Sequence, residues 1–190
     1  MKFCGALLLC LCGFAASGQA APVNIATLTC ARYQNDIIGP AAAPGTDSIN
    51  TVMWLFGYSV GKSGAQVMYG DALAGFGFAL DAECKNNPAE SVLDALARVK
   101  PDAKNPMDLS MLECETFASR HLELVQSDRE SADTIMMWLF GFAVAKSGSH
   151  MFDPGGLANF EGALMADCKK SPGRSLADEL SAVKFSSSKP

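Results

Sequence analysis

Seven cysteines, two histidines and a repeated Lys-Ser-Gly are the residues of this 190-residue chain whose chemistry has to be decided first. Cys4, Cys10 and Cys12 lie within residues 1–21, where Lys2 precedes an apolar run and Gly18 and Ala20 occupy the −3 and −1 positions of a cleavage site. That pattern reads as a secretory signal peptide, and cleavage removes all three thiols. Lipidation is the weaker alternative, because Leu stands directly before Cys10 and Cys12 where a lipid-attachment site wants a small residue. Cys30, Cys84, Cys114 and Cys168 remain, and an even set of four in an exported protein implies disulfides. His121 and His150 then have no Cys or His at ligand spacing and no evident nucleophile beside them, so neither a metal site nor His-based catalysis is expected. Gly61-Lys62-Ser63 looks like the end of a phosphate loop, but the glycine required five positions earlier is Phe56, and the second occurrence reads Ala145-Lys146-Ser147. Lys62 and Lys146 are read as solvated or carbonyl-capping side chains at helix ends. Asp94 and Asp178 are read as solvated helical carboxylates, and no cofactor is expected.

The cysteine spacing opens the organisation of the chain. Cys30 to Cys84 and Cys114 to Cys168 are both 54 residues, and comparison of the chain with itself at an offset of 84 aligns the two halves without a gap. Met53-Trp54-Leu55-Phe56-Gly57 falls on Met137-Trp138-Leu139-Phe140-Gly141, Lys62-Ser63-Gly64 on Lys146-Ser147-Gly148, and Cys84-Lys85 on Cys168-Lys169. This reads as an internal duplication: repeat 1 over 22–100, a linker over 101–113, repeat 2 over 114–184 and a tail over 185–190. Four cysteines permit three pairings. A unit that folded before it was copied selects Cys30 with Cys84 and Cys114 with Cys168. Each bridge closes a loop worth about 4 kcal/mol in the chain-entropy model, which is much of the stability a unit this small can have.

The elements that must carry these residues are helical. Asp47-Ser48 can cap a helix whose apolar residues Ile49, Val52, Met53, Phe56 and Val60 recur at three and four, as do Ala132, Ile135, Met136, Leu139 and Phe140 in the second repeat. Those helices should stop near Gly61 to Gly64 and near Gly148. A second helix runs from about Asp71 to Lys85, with Leu157 to Leu164 answering it, and a third follows Pro88 or Pro172 with Ser91 or Ser175 as its cap. The first cysteine of each repeat opens a short helix. The glycine-rich stretch Gly70 to Phe78 suggests close helix contact by default, with a flexible opening point as the alternative. No segment shows sustained alternation with a period of two, so the fold class is all-α, two tandem disulfide-stapled units of about four short helices each.

Composition excludes some classes of function. The chain is 49% hydrophobic and 18% charged with a net charge of −5, which gives no basic field for a nucleic acid. Beyond the N-terminus no stretch approaches the ~20 apolar residues of a membrane span.

Two cysteines about 54 apart, Trp54 to Tyr58 leading to Lys62 and Gly64, and Cys84-Lys85-Asn86-Asn87-Pro88 resemble the HdeA/HdeB family of small periplasmic proteins, and Cys114, Trp138 to Phe142 and Cys168 to Pro172 repeat the resemblance. The resemblance implies a non-enzymatic, acid-activated holdase chaperone of the periplasm, compact at neutral pH, which opens in acid and holds acid-denatured envelope proteins as clients through exposed apolar surface. Family members carry one unit where this chain carries two. Trp54, Phe56, Trp138 and Phe140 become the candidate client-binding or repeat-interface residues, buried as core at neutral pH. The sequence allows either an internal pseudo-dimer of the repeats or a homo-oligomer. The alternative reading is a constitutive envelope protein-binding module or inhibitor acting at neutral pH.

Overall fold

A computed structural model describes residues 21–39, 48–70, 72–100 and 106–183. The expected signal peptide up to residue 20, the capping Asp47, Asp71, residues 101–105 and the tail fall outside the described residues. The order of elements is β1 (Val23–Asn24), α1 (Cys30–Arg32), a π-helical turn (Tyr33–Ile37), α2 (Ser48–Ser63), β2 (Val67–Tyr69), α3 (Leu73–Asn86), α4 (Val92–Arg98), β3 (Pro106–Asp108), α5 (Cys114–Ser127), α6 (Arg129–Lys146), β4 (Met151–Phe152), α7 (Leu157–Lys170) and α8 (Leu176–Ala182). The fold is mainly helical, as the periodicity predicts.

Local chemistry sets the helix ends. Ser91 and Ser175 accept hydrogen bonds from the backbone N–H of Asp94 and Asp178 at the starts of α4 and α8, and Asp128 accepts from Ser131 N at the start of α6. Ser91 also donates its hydroxyl to the Asp94 carboxylate, so Asp94 has a capping role beyond that of a solvated side chain. Gly64 and Gly148, just past α2 and α6, have φ of +82° and +78°, a conformation that glycine adopts without the Cβ penalty. The disulfides join α1 to α3 through Cys30–Cys84 and α5 to α7 through Cys114–Cys168. Backbone bonds reinforce them at equivalent places: Cys30 N donates to Glu90 O and Cys114 N to Arg174 O, while Val92 N donates to Leu28 O and Leu176 N to Leu112 O. Each staple therefore ties the first helix of its half to the turn before the last.

Strands enter in a way that the sequence pattern does not announce. β1 pairs antiparallel with β4, with Val23 opposite Phe152, and β2 pairs with β3, with Met68 opposite Met107. Each two-stranded ribbon joins the N-terminal segment of one half to the middle of the other. At two or three residues they are too short to show alternation, and their partners are distant in sequence. Residues 106–113, within the expected linker, take part in the fold through β3 and through Leu109, which is fully buried and donates its N–H to Gln66 O.

α2 lies directly against α6, and the remaining helices cover this central pair: α3 and α4 pack on α2, while α5, α7 and α8 pack on α6. Enclosure explains why burial departs from a simple amphipathic stripe. In α6 every residue from Met136 to Ala145 is buried, and in α2 Trp54 to Tyr58 form an unbroken buried run, while Ile49, expected inward, is exposed. Close approach depends on glycine. A Cβ on Gly57 would stand 1.9 Å from the Trp138 carbonyl oxygen, one on Gly141 would stand 2.0 Å from the Trp54 carbonyl oxygen, and one on Gly61 would lie 2.7 Å from Phe142 O. The tight glycines are thus in the central helices. At Gly70 and Gly75, where close contact was expected, a Cβ would meet open space, and at Gly77 only ordinary contact with Val52.

Gly57→Ala or Gly141→Ala therefore forces two backbones apart and should destabilise the protein by about 1–3 kcal/mol or more. Gly75→Ala, unobstructed within α3, should stabilise by about 0.5–1 kcal/mol. Urea denaturation of the three variants at pH 7 checks the contrast.

Candidate functional site

The four aromatic residues singled out by the repeat meet at the α2–α6 contact or immediately beside it. Phe56 and Trp138 touch edge to face across the two helices, with ring centroids 6.3 Å apart. Trp54 stacks on Tyr58 at 5.2 Å and leans on Phe152 of the opposite half at 5.0 Å, while Trp138 stacks on Phe142 at 5.6 Å. Phe56 continues onto Phe76 of α3 at 4.6 Å, and Phe140 onto Phe160 of α7 at 4.9 Å. All four are buried within the core. Neither indole N–H finds an acceptor among the described residues although both are buried. An unpaired buried donor of this kind costs roughly 1–3 kcal/mol.

Polar contacts also cross between the halves: the Thr134 hydroxyl of α6 lies 3.4 Å from Asn50 Oδ1 of α2, and a second contact has no counterpart at the offset of 84. The Tyr58 hydroxyl lies 2.5 Å from His150 Nδ1. Burial raises the Tyr58 pKa to about 12, so the phenol keeps its proton and shares a hydrogen bond with the imidazole nitrogen. At the offset of 84 the corresponding residues are Phe142 and Gln66, which removes the hydroxyl from the equivalent place.

Around the apolar centre, ion pairs fasten the covering helices. Arg98 at the end of α4 reaches Glu83 of α3 at 2.8 Å and also pairs with Glu90 in the intervening turn. Glu161 of α7 accepts from Arg129 of α6 at 3.2 Å and bonds His121 Nε2 of α5 at 2.8 Å, so one carboxylate ties three helices together. The His121 side chain is only 2% exposed and its ring stacks on Phe117. This cluster was not foreseen from sequence: Glu161 of α7 is 40 residues from His121 and 32 from Arg129, and no spacing rule connects the three. No group of acidic, His or Cys side chains arranged to hold a metal occurs among the described residues.

Several carboxylates in these positions are held below their usual range. The Lys85 ammonium, with help from Gln34, lowers Asp81; the Arg98 guanidinium lowers Glu90. Hydrogen bonds from Ser110 lower Asp108 at the end of β3, and those from Ser131 lower Asp128 at the cap of α6. A carboxylate with a depressed folded pKa contributes stability that is complete above its unfolded value near ~4 and is lost as pH falls through the folded value. Acid therefore withdraws support from a cap of α6, from the inter-half ribbon and from the α3–α4 clamp.

With this geometry in view, the comparison with known proteins is specific to one region. Residues 92–178 match the model of the HdeA/HdeB family. The match supports the family and runs from α4 through the opening of α8, somewhat under half of the chain. It contains Cys114, Cys168, Trp138 and Phe140, and it stops short of Cys30, Cys84, Trp54 and Phe56. The HdeA/HdeB-like segment is thus one disulfide-stapled half together with the last helix of the other. No curated relative and no solved structure matches the chain. Among the described residues no helix is long and apolar enough to cross a membrane.

Two outcomes follow. The urea midpoint should stay nearly level from pH 7 to 5 and fall progressively below about pH 4, as the four depressed carboxylates take up protons. Glu161→Gln keeps the shape but weakens a three-helix tie to a buried imidazole, and should cost about 1–3 kcal/mol at pH 7, read from the same denaturation curves.

Proposed function

We propose that this protein is a periplasmic holdase chaperone, exported through its N-terminal signal peptide and activated by acid, which holds unfolding envelope proteins through the apolar surface between its two halves. The observation that carries the reading is the HdeA/HdeB match over the half containing Trp138, together with an aromatic interface whose surrounding clamps are carboxylates. The reading is of a binding protein without catalysis.

The second half of the proposal is duplication. Elements at an offset of 84 agree in kind and in bounds: α3 (Leu73–Asn86) with α7 (Leu157–Lys170), and α4 (Val92–Arg98) with α8 (Leu176–Ala182). We read the chain as two copies of one unit that form an internal pseudo-dimer, with Trp54 and Phe56 taking the places of Trp138 and Phe140 in the first copy. Tethering alters the acid response. Two units on one chain see each other at an effective concentration of the order of millimolar, so opening is a hinge-like parting of halves and not a dissociation.

Charge supplies the drive. Without residues 1–21 the chain carries 14 basic against 20 acidic side chains, a net of −6, and full protonation including both histidines takes it to about +16. Self-repulsion on that scale loosens packing, while the two disulfides, indifferent to protons, keep each half from unravelling. The exposed face would be rich in Trp, Phe and Met, an adaptable surface for unlike clients.

The test is light scattering of an acid-labile envelope enzyme shifted to about pH 2–3 with and without the oxidised mature protein, repeated at pH 7. Suppression in acid alone, accompanied by a red shift of the Trp54 and Trp138 fluorescence, is the expected result. Aggregation unchanged at stoichiometric excess overturns the holdase reading, and saturable capture of one partner at pH 7 would replace it with a constitutive binding module.

A further inference from the structure

One cavity of about 180 Å³ opens beside α5, and Trp54, Phe56, Trp138 and Phe140 are not among the residues that line it. Its walls are almost wholly apolar, with Met68 of β2, Met107 of β3, Leu112, Phe117 and Leu139 among them, and Arg120 and His121 also line it. The place related to it by the offset of 84 is built from different residues. Phe152 stands there instead of Met68, buried and packed on Trp54, and Tyr33 instead of Phe117. These two exchanges add bulk on that side, whereas Val23 stands there for Met107 and Val92 for Leu176, so the two places differ in shape. The charge also changes sign: the equivalent of Arg120 is Asp36, which is paired with Arg32 at 3.1 Å. Arg120 itself is exposed and has no carboxylate within ion-pair distance among the described residues. His121 contributes its ring face, since its Nε2 is taken by Glu161.

We propose that this cavity binds a medium-chain carboxylate, its aliphatic chain inside and its carboxylate on Arg120. The size fits: an apolar cavity of about 150 Å³ accepts benzene, so this one takes a chain of about six to eight carbons. The chemistry fits as well. The flexible thioethers of Met68 and Met107 adapt to a chain of variable conformation, and an unpaired guanidinium at the rim selects an anion over a neutral head. This site goes beyond the chaperone reading and needs no acid, so its failure at pH 7 would leave that reading standing, and the reverse.

The test is calorimetric titration of the oxidised mature protein at pH 7 with octanoate below its micellar range, with 1-octanol and acetate as controls, alongside methyl NMR of ¹³C-methionine protein. Octanoate should saturate one site and shift the Met68 and Met107 methyl signals, whereas acetate should do neither. Arg120→Ala should weaken octanoate about five-fold or more, the worth of about 1 kcal/mol for a partly exposed ion pair, and leave octanol within about two-fold. Met68→Phe copies the residue used on the other side, and should abolish binding of both without lowering the melting temperature. Octanoate that fails to saturate, that binds Met68→Phe undiminished, or that binds Arg120→Ala as tightly as the parent overturns the proposal. Should Met68→Phe not fold, the methyl signals of the parent protein decide: perturbation elsewhere than Met68 and Met107 overturns it equally.

Discussion

Everything in this molecule depends on how closely two helices come together. Gly57 in α2 faces the Trp138 carbonyl and Gly141 in α6 faces the Trp54 carbonyl, each at a distance that no Cβ would permit. Because the backbones meet there, the side chains on either side of each glycine must interleave: Phe56 meets Trp138 across the contact, while Trp54 packs on Phe152 and Phe140 on Phe160. The same contact forces α2 and α6 to be buried on most of their circumference, which is why the five other main helices have only a covering role. A chain of this length builds a single core in this way from two halves that are each near the lower limit for independent stability.

The restraints around that core divide by their response to acid. The disulfides Cys30–Cys84 and Cys114–Cys168 act within a half and do not titrate over this range. The contact between halves relies on packing, two short ribbons and side-chain bonds such as Tyr58–His150 and Thr134–Asn50, and carboxylates support neighbouring elements at Asp128, Asp108 and Glu161. Protons therefore act selectively. They weaken the caps and clamps that position the covering helices, and leave the covalent staples in place. The loop entropy removed by the staples still disfavours full unfolding when the ionic support has gone.

The halves also differ in a way that helix order conceals. His121, Glu161 and Arg129 form a polar tie around a buried imidazole in the second half, where the offset of 84 places Ile37 and Gly77 opposite the first two. Met68 and Phe152 exchange bulk across the two ribbons, and Asp36 and Arg120 exchange charge. Similar backbones thus carry different chemistry, and a site on one side need not have a counterpart on the other.

The sequence by itself determined the local features, because each depends on neighbours within a few residues or on a count. Helix type follows from apolar spacing of three and four, the starts of α4 and α8 from Ser91 and Ser175, and the ends of α2 and α6 from Gly64 and Gly148. Cysteine spacing singled out the pairs that the structure joins. Only the tertiary structure decided which glycines are close-packed, since Gly57 and Gly75 are alike until a second helix arrives at one of them. It alone decided that Ile49 faces solvent, that four short strands pair between halves, and that His121, Arg129 and Glu161 converge. Those features are contacts between residues remote in sequence, and a periodic pattern records which face of an element is apolar without recording what comes to cover it.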